Sequence, residues 1–271
     1  MRIDQQTRLY GVVGSPLGHT LSPAMHNAAF EEVGLNAVYL AFETKEIRGC
    51  LAGVRALGIK GLSVTIPHKS SVIPFLDRVD GLAEKIGAVN TIVNNGGKMI
   101  GYNTDAMGAF KALEEKTDIS GKTCLIIGAG GAARAIGYIL KENGADIVIG
   151  NRTPERGKAL AEALGCPFLS LDKLENSEAD ILIQTTPVGM APLTDQSPVP
   201  EKVFKKGMVV MDIIYHPLET RLLSIAREKG CLTIGGLGMF VHQGAEQFRL
   251  WTGLEPPIEV MTRAVTEALA K

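Results

Sequence analysis

Residues 123–156, TCLIIGAGGAARAIGYILKENGADIVIGNRTPER, carry the clearest structural pattern in this chain. An apolar run at 124–127 predicts a strand that ends in the glycine-rich turn 128–131. A helix is predicted from there to about Asn143, and a second apolar run at 147–149 predicts a further strand. This strand–turn–helix–strand order is typical of a dinucleotide-binding unit.

The glycine-rich turn suits a pyrophosphate. Backbone N–H groups at the start of a helix point toward the same spot as the positive end of the helix dipole. Gly128 lets the chain turn, Gly130 lets the backbone approach the phosphates, and the small Ala133 lets the helix pack on the strand. The predicted phosphate-binding residues are Gly128, Ala129, Gly130, Gly131 and Ala132.

The end of the second strand indicates which dinucleotide binds. NAD is usually held here by a carboxylate, which accepts hydrogen bonds from the ribose 2′-hydroxyl. This sequence instead offers Asn151, Arg152, Thr153 and Arg156. Guanidinium groups bind phosphate oxygens in pairs, so the sequence predicts NADP(H) rather than NAD(H). The alternative is that both arginines are solvated surface charges.

The composition excludes several classes of protein. The chain has 271 residues, of which 45% are hydrophobic and 21% charged, so a full core is expected rather than disorder. A net charge of -1 provides no basic surface for nucleic acid. No apolar run is long enough to span a membrane, and the start lacks a secretion signal. Four scattered cysteines without metal-binding spacing favour a cytoplasmic protein that holds no metal.

The sequence predicts an α/β protein of two domains with a cleft between them. Residues 1–105 alternate strand and helix candidates, which predicts a mostly parallel sheet. The same alternation after the glycine-rich turn predicts a Rossmann-type, doubly wound sheet. Two helices in the tail are expected to return to the first domain. The predicted domains are thus a substrate-binding domain of residues 1–105 and 240–271, and an NADP-binding domain of residues 106–239.

The individual elements follow from apolar runs and their flanking residues. Ser22 is predicted as the N-cap of the first helix, because Pro23 suits a first helical turn. The strand candidates are 9–13, 37–42, 62–66, 91–94, 181–185, 209–213 and 231–234. The remaining helix candidates are 23–33, 46–57, 81–86, 155–164, 217–229 and 258–269, with another helix from Gly238.

Four polar clusters in the first domain could carry chemistry. They contain Thr20 and Ser22, Ser63 to Lys69, Asn90, and Asp105. Side chains at the carboxyl ends of strands in an open α/β sheet are where ligands bind. Each cluster also has a structural interpretation: a helix cap, a surface lysine, a turn asparagine, or an acid in the first turn of a helix.

Taken together, the motifs are similar to those of shikimate dehydrogenases. They occur in that family's order over essentially the whole chain: HTLSP, SVTIPHK, GAVNT, YNTD, GAGGAAR, NRTPER, YHPLETRLL and GLGMFVHQGAEQF. The resemblance implies a two-domain enzyme of aromatic amino acid biosynthesis. Such an enzyme interconverts 3-dehydroshikimate and shikimate with NADP(H).

The resemblance also implies roles for individual residues. Lys69 and Asp105 correspond to the family's catalytic pair. The residues that would hold the substrate are Thr20, Ser22, Thr65, Asn90, Tyr215 and Gln243. The chain departs from the family pattern at Thr20, where serine is usual, at Ser63, where asparagine is usual, and at Ala106, where glycine is usual.

Hydride transfer to a ketone places negative charge on its oxygen, which requires a cation or an acid nearby. We expect the Lys69 ammonium to supply it and Asp105 to orient that ammonium. Further residues expected near the cofactor are Thr186, Met190, Gly236 and Met239. For the two methionines, packing in the hydrophobic interior is an equal alternative.

Two other functions are also compatible with the sequence. One is a quinate or shikimate dehydrogenase that accepts a broader range of substrates or uses NAD. Another is a non-catalytic sensor of NADP(H), although both Lys69 and Asp105 are present. The expected partners are the small-molecule substrate and no nucleic acid or membrane, with the chain as a monomer or homodimer.

Overall fold

The computed structural model describes residues 3–18 and 20–270, apart from the side chain of Asn176. The chain divides into two compact units, which we call unit 1 (residues 1–104 and 241–271) and unit 2 (residues 105–240). Each contains a six-stranded sheet. The predicted α/β class is confirmed. None of the described helices is long and apolar enough to cross a bilayer.

The unit 1 sheet is mostly parallel, as predicted. Its strands are β1 (Arg8–Gly14), β2 (Ala37–Glu43), β3 (Gly61–Val64), β4 (Arg78–Val79), β5 (Thr91–Asn95) and β6 (Lys98–Tyr102), in the order β2-β1-β3-β5-β6-β4. β1 pairs in parallel with β2 and β3, whereas β5 runs antiparallel to β3 and β6. The carboxyl ends of β1 and β3 therefore meet at one edge of the sheet.

Helices cover this sheet. They are α1 (Ser22–Glu32), α2 (Ile47–Leu57), α3 (Gly81–Ile86) and, from the tail, α8 (Gly236–Thr252) and α9 (Ile258–Leu269), with α8 entering unit 1 at Val241. α2 buries Leu51 and Val54 against Leu62 and Ile92 of the sheet. α1 contacts α9, which buries Met261 and Val265.

Trp251 of α8 packs directly on the sheet. Its Nε1 donates a hydrogen bond to the carbonyl oxygen of Ile92 at 2.9 Å. Gly61 lies beneath the indole, and a Cβ atom at this position would collide with Nε1. The close approach of helix and sheet therefore requires glycine at position 61.

Unit 2 is a doubly wound parallel sheet, as predicted. Its elements are α4 (Thr104–Glu114), β7 (Thr123–Ile127), α5 (Gly131–Glu142), β8 (Asp146–Asn151), α6 (Pro154–Leu164), β9 (Phe168–Ser170), β10 (Ile181–Gln184), β11 (Val209–Asp212), α7 (Arg221–Glu228) and β12 (Leu232–Ile234). The strand order is β12-β11-β10-β7-β8-β9. Every residue of β10 and β11 is buried, because both faces of a parallel sheet are covered.

Several predicted boundaries are wrong. The helix predicted from Gly238 begins at Gly236. The strand predicted at 62–66 ends at Val64, because His68 N donates to the carbonyl oxygen of Thr65 and closes a turn. The helix predicted from 217 begins at Arg221, capped by the Thr220 side chain. Ser22 is not an N-cap, since it is the first helical residue and Leu21 occupies the cap position.

Short strands were missed, namely β4, β6 and β9. The β5–β6 hairpin had a sequence signal in Gly96 and Gly97, which both adopt positive φ, at 61° and 93°. A pair of glycines between two strands favours such a tight hairpin turn. β4 and β9 are only two and three residues long, so they leave no periodic pattern.

Substitution of Gly61 by alanine tests the contact between α8 and the sheet. Gly61→Ala is expected to lower the free energy of unfolding by about 1–3 kcal/mol, because the new Cβ overpacks against Trp251. The matched control is Gly53→Ala within α2, where a Cβ would meet nothing within 4 Å. It should stabilise by about 0.5–1 kcal/mol. Urea denaturation of both variants measures this, and equal effects would contradict it.

Candidate functional site

The glycine-rich turn in unit 2 has the conformation that a phosphate turn requires. Gly128 adopts φ +125°, and a Cβ there would collide with Oγ1 of Thr185. The turn is held by Gly128 N, which donates to the carbonyl oxygen of Gly150 at 2.8 Å, and by Thr185 Oγ1, which donates to that of Ile127 at 2.7 Å. The turn therefore tolerates only glycine at position 128.

The start of α5 is open and rich in N–H donors. Gly130 is its N-cap and provides no side-chain cap. The first N–H groups of any helix lack carbonyl partners within the helix, and here these belong to residues 131–133. A Cβ on Gly130 or Gly131 would meet nothing within 4 Å. Ala129 and Ala132 are half-buried, whereas Ala133 is fully buried against the sheet. The pyrophosphate of a dinucleotide fits this cradle.

The carboxyl end of β8 presents cationic side chains. Arg152 and Arg156 are both exposed, and within the described part of unit 2 neither guanidinium has a carboxylate oxygen within 4.0 Å. The Asn151 side chain donates to the carbonyl oxygen of Thr153 at 2.8 Å and so shapes the turn into α6. This arrangement suits a phosphate monoester better than a ribose hydroxyl.

The loop after β10 is held by a residue that the sequence did not single out. Gln184 is fully buried, and its Nε2 donates to Thr186 Oγ1 at 2.9 Å and to the carbonyl oxygen of Val188 at 3.0 Å. Its Oε1 accepts from Thr186 N at 3.0 Å. The loop carries Met190, which is 46% exposed. Gln184 is a polar residue at the end of an otherwise apolar strand, and this pattern could have indicated its role from the sequence.

The start of α8 holds two further predicted residues. Gly236 N donates to the carbonyl oxygen of Ile214 at 3.2 Å, and a Cβ on Gly236 would collide with the carbonyl of Ile213. Glycine is therefore required for this close backbone approach. Met239 is 8% exposed and contributes to the core.

Asp212, which the sequence did not indicate, holds the loop that carries Tyr215. Its buried carboxylate accepts hydrogen bonds from Ile214 N at 3.0 Å and from Thr220 Oγ1 at 2.7 Å. Burial raises the pKa of this carboxyl to about 6, although both hydrogen bonds oppose the change. The Tyr215 ring packs against Phe240 at 5.0 Å between centroids, and burial raises the pKa of its hydroxyl.

An Asp212→Asn variant tests the cost of this burial. The pKa rises from 3.8 to about 6 on folding, so the folded protein binds the proton more tightly and its stability falls as pH rises through that window. Asparagine does not titrate. The unfolding free energy of the wild type minus that of the variant should therefore fall by roughly 2.5 kcal/mol from about pH 4 to pH 7. Urea denaturation measures this, and a difference that is constant or increases with pH would contradict it.

In unit 1, the structure brings the segments after β1 and β3 together. Ser15 N donates to the carbonyl oxygen of Ile66 at 3.0 Å, and Thr65 N donates to that of Val13 at 2.9 Å. The segment after β1 leads to Thr20, which is half-buried, and to Ser22, which is buried at the start of α1. Because Ser22 does not cap the helix, its hydroxyl is not committed to that role.

The turn after β3 positions Lys69. The side chain of His68 is buried, and its Nε2 donates to the carbonyl oxygen of Thr44 at 2.7 Å, which supports the structural interpretation of this histidine. The carbonyl oxygen of Lys69 accepts from Val89 N at 2.7 Å. The lysine backbone is thus fixed on both sides, and its side chain is half-buried.

Asn90 lies beside this turn. Its carbonyl oxygen accepts from Val64 N at 2.7 Å. Its side-chain Oδ1 accepts from Thr104 N at 2.7 Å and from Thr91 Oγ1 at 2.8 Å, while Nδ2 donates to Thr104 Oγ1 at 3.0 Å. The orientation of the amide is therefore fixed, because a backbone N–H can only donate.

The remaining predicted residues lie on helices. Asp105 is in the first turn of α4, where its charge is favourable, and it belongs to unit 2. Gln243 is buried on the part of α8 that belongs to unit 1. One turn further along α8 is Gln247, a 1% exposed residue that the sequence did not indicate.

Comparisons with known proteins match this arrangement. The family model for the shikimate dehydrogenase substrate binding domain matches residues 12–92, and the model for shikimate / quinate 5-dehydrogenase matches residues 111–217. The shikimate 5'-dehydrogenase C-terminal domain matches residues 236–266. The shikimate dehydrogenase (NADP(+)) of Pyrococcus abyssi is 50% identical over 266 residues, which cover 97% of this chain and 99% of that protein.

The chain belongs to the shikimate dehydrogenase family. Solved shikimate dehydrogenases share its fold. A crystal structure of shikimate dehydrogenase in complex with NADP+ is 44% identical, has a TM-score of 0.96, and is matched over 100% of this chain and 98% of that chain. The Thermus thermophilus enzyme in complex with NADP(H) and shikimate is 39% identical, with a TM-score of 0.91, over 96% of this chain and 99% of that chain.

Proposed function

We propose that this chain reversibly reduces 3-dehydroshikimate to shikimate with NADPH, in aromatic amino acid biosynthesis. The observation that carries the proposal is the match over nearly the whole chain to NADP(+)-dependent shikimate dehydrogenases. The polar strand-end residues of unit 1 and the open phosphate turn of unit 2 supply the chemistry that this reaction needs. In this proposal unit 1 binds the substrate and unit 2 binds NADP.

The substrate is a small acid with several hydroxyls, and the residues of unit 1 suit it. Ser22 and Thr20 would hold the carboxylate, because hydroxyls donate to carboxylate oxygens. Asn90 can only donate to the substrate, since its Oδ1 already accepts from Thr104 and Thr91. Thr65 and Gln243 would bind the ring hydroxyls, and Tyr215 is proposed as a further substrate-binding residue. A site of this kind rejects analogues that lack a hydroxyl.

NADP would be held by the cradle at the start of α5 and by the end of β8. The cofactor supplies hydride chemistry when bound. Residues 128–132 would bind the pyrophosphate, and Asn151, Arg152, Thr153 and Arg156 would bind the 2′-phosphate. The loop with Thr186 and Met190 and the start of α8 with Gly236 and Met239 would border the nicotinamide.

Lys69 and Asp105 would carry out the proton chemistry. In the reducing direction the ketone oxygen becomes negative, and the Lys69 ammonium would stabilise that charge and donate the proton. Asp105 would be the second residue of the catalytic pair, as the shared motif implies. The fixed backbone of Lys69 supports this role, since a catalytic group must be held in place.

We further infer a cytoplasmic monomer or homodimer without a nucleic-acid partner. The net charge of -1 supports the last point, because nucleic-acid binding depends on cationic surfaces.

An assay of NADPH oxidation with 3-dehydroshikimate tests the function. We expect turnover with this pair, and much lower kcat/KM with quinate and NADP+ or when NADH replaces NADPH. Comparable rates with quinate or NADH would favour the broader dehydrogenase. Saturable NADPH binding without turnover of either acid would favour the sensor.

Replacement of Lys69 tests its catalytic role. Lys69→Ala is expected to lower kcat by about 10²–10⁴-fold, with a much smaller change in the KM for shikimate, because a positioned acid acts mainly in the transition state. The matched control is Lys98→Ala, an exposed lysine at the start of β6. Steady-state kinetics of shikimate oxidation measures both. A near-normal kcat for Lys69→Ala would refute the assignment.

Replacement of the two arginines tests recognition of the 2′-phosphate. Arg152→Ala and Arg156→Ala should each raise the KM for NADPH by roughly 10–100-fold, because each loses a hydrogen bond to a charged group. The KM for NADH should barely change. Arg221→Ala, an exposed arginine at the start of α7, is the control. If NADPH and NADH are affected equally, these arginines do not select the cofactor.

A further inference from the structure

We propose that Gln247 is a positioning residue that sets the register of α8 on the unit 1 sheet and thereby places Gln243 beside Thr65. The inference rests on the proposed function only in giving Gln243 a contact with shikimate. The register itself follows from the contacts of α8 with β3 and β5.

Three residues of α8 lie on one face of the helix. Gln243, Gln247 and Trp251 are spaced by four, and residues at this spacing are neighbours on a helix surface. Gln247 and Trp251 are 1% and 9% exposed, and both contact the sheet. Gln243 is also buried, at 8% exposure. This face therefore lies against the sheet over at least these turns.

Four residues of α8 cover nearly the same distance along the helix axis as two residues of β3 cover along the strand. Four helical residues rise about 6 Å, and two strand residues rise about 6.6 Å. Trp251 packs over Gly61, and Gln247 Oε1 accepts from Ser63 Oγ at 2.8 Å. The next step along both elements pairs Gln243 with Thr65, at the carboxyl end of β3. Thr65 remains in line with the strand, since its N–H donates to the carbonyl oxygen of Val13.

The Gln247 side chain fits in one orientation only. Its Nε2 donates to the carbonyl oxygen of Asn90 at 3.3 Å and to Thr91 Oγ1 at 3.0 Å. Its Oε1 accepts from Ser63 Oγ and lies 3.2 Å from Nε2 of His26. Because a backbone carbonyl can only accept, the amide nitrogen must face Asn90. The oxygen must therefore face Ser63 and His26.

Each partner of Gln247 is itself buried, so none can exchange it for water. Ser63 is 7% exposed and accepts from Tyr39 Oη at 2.6 Å, while Thr91 and His26 are fully buried. Burial lowers the pKa of His26 to about 3, so its ring stays neutral. Its Nε2 carries the hydrogen, because the amide oxygen of Gln247 can only accept. If α8 moved along β3, these groups would lose their partners at once, which is costly. Apolar contacts alone would resist such sliding less.

A double-mutant cycle separates positioning from general stability. The variants are Gln247→Met, which keeps the side-chain volume but neither donates nor accepts as an amide does, Gln243→Ala, and the double variant. Shikimate affinity is measured by calorimetry. We expect Gln247→Met to weaken binding about tenfold when Gln243 is present, but less than about twofold when Gln243 is alanine. Equal weakening in both backgrounds would overturn the proposal.

A control measurement and a replacement variant complete this test. NADP+ affinity is the internal control and should be unchanged in every variant. Should Gln247→Met fail to fold, Ser63→Ala takes its place, because it removes one donor to Gln247 and leaves the other partners of that amide. It also removes the acceptor of the Tyr39 hydroxyl, which contacts neither Gln243 nor Thr65 in any hydrogen bond described above. It is expected to weaken shikimate binding in the same Gln243-dependent way, and a Gln243-independent effect would overturn the proposal.

Amide hydrogen exchange tests the register without any ligand. The measurement uses Gln247→Met or, if that variant does not fold, Ser63→Ala. Amide exchange in residues 243–248 should be at least about tenfold faster than in the wild type, while exchange in α2, the reference, should be unchanged. Unchanged protection of α8 would overturn the positioning role. If the wild type does not bind shikimate, the proposed function fails, and this measurement alone then decides the role of Gln247.

Discussion

Buried polar side chains that hydrogen-bond to the backbone just beyond the strand ends are the constraint on which the candidate site depends. In unit 2, Gln184 holds the loop after β10 and Asp212 holds the loop after β11. In unit 1, Gln247 binds the carbonyl oxygen of Asn90, next to the end of β3. The two loops of unit 2 have no ladder partners of their own, so without these side chains their backbone groups would be left to water. The Asn90 carbonyl oxygen also accepts from Val64 N, so there Gln247 adds a second hydrogen bond that ties α8 to the sheet.

Some of these contacts require the burial of a titratable side chain, which costs free energy. Asp212 and His26 are both fully buried and titratable, and burial moves their pKa values in opposite directions, to about 6 and about 3. The physical cause is the same for both groups, because burial disfavours the charged form of an acid and of a base alike. Both groups are therefore favoured in their neutral forms by the fold. The gain is a set of loops whose geometry does not depend on mobile surface contacts.

Much of the fold could be predicted from the sequence because its signals are local. The strand, turn and helix around Gly128 follow from an apolar run and a glycine cluster, and the structure confirms them. The parallel sheets follow from alternating strands and helices. The start of α7 was wrong because Pro217 resembles a first helical turn, whereas Thr220 supplies the cap.

The supporting residues could not be predicted, because their partners are distant in sequence. Ser63 and Gln247 are separated by 184 positions, and nothing in either local pattern indicates the other. Gln247 also falls on an amphipathic helix where a buried glutamine looks like an exception to the apolar face. The residues proposed to touch the ligands came from motifs, whereas those that hold them in place emerged only from the hydrogen bonds.

A crystal structure of this chain with shikimate would show whether Gln247 supports the substrate-binding residues without binding the substrate itself. We expect one shikimate molecule to contact the Gln243 amide, the Thr65 hydroxyl and Nδ2 of Asn90, while Gln247 stays bonded to Ser63 and Asn90 and touches no ligand. A shikimate molecule bound elsewhere, or a Gln247 side chain that leaves Ser63 to contact the ligand itself, would contradict it.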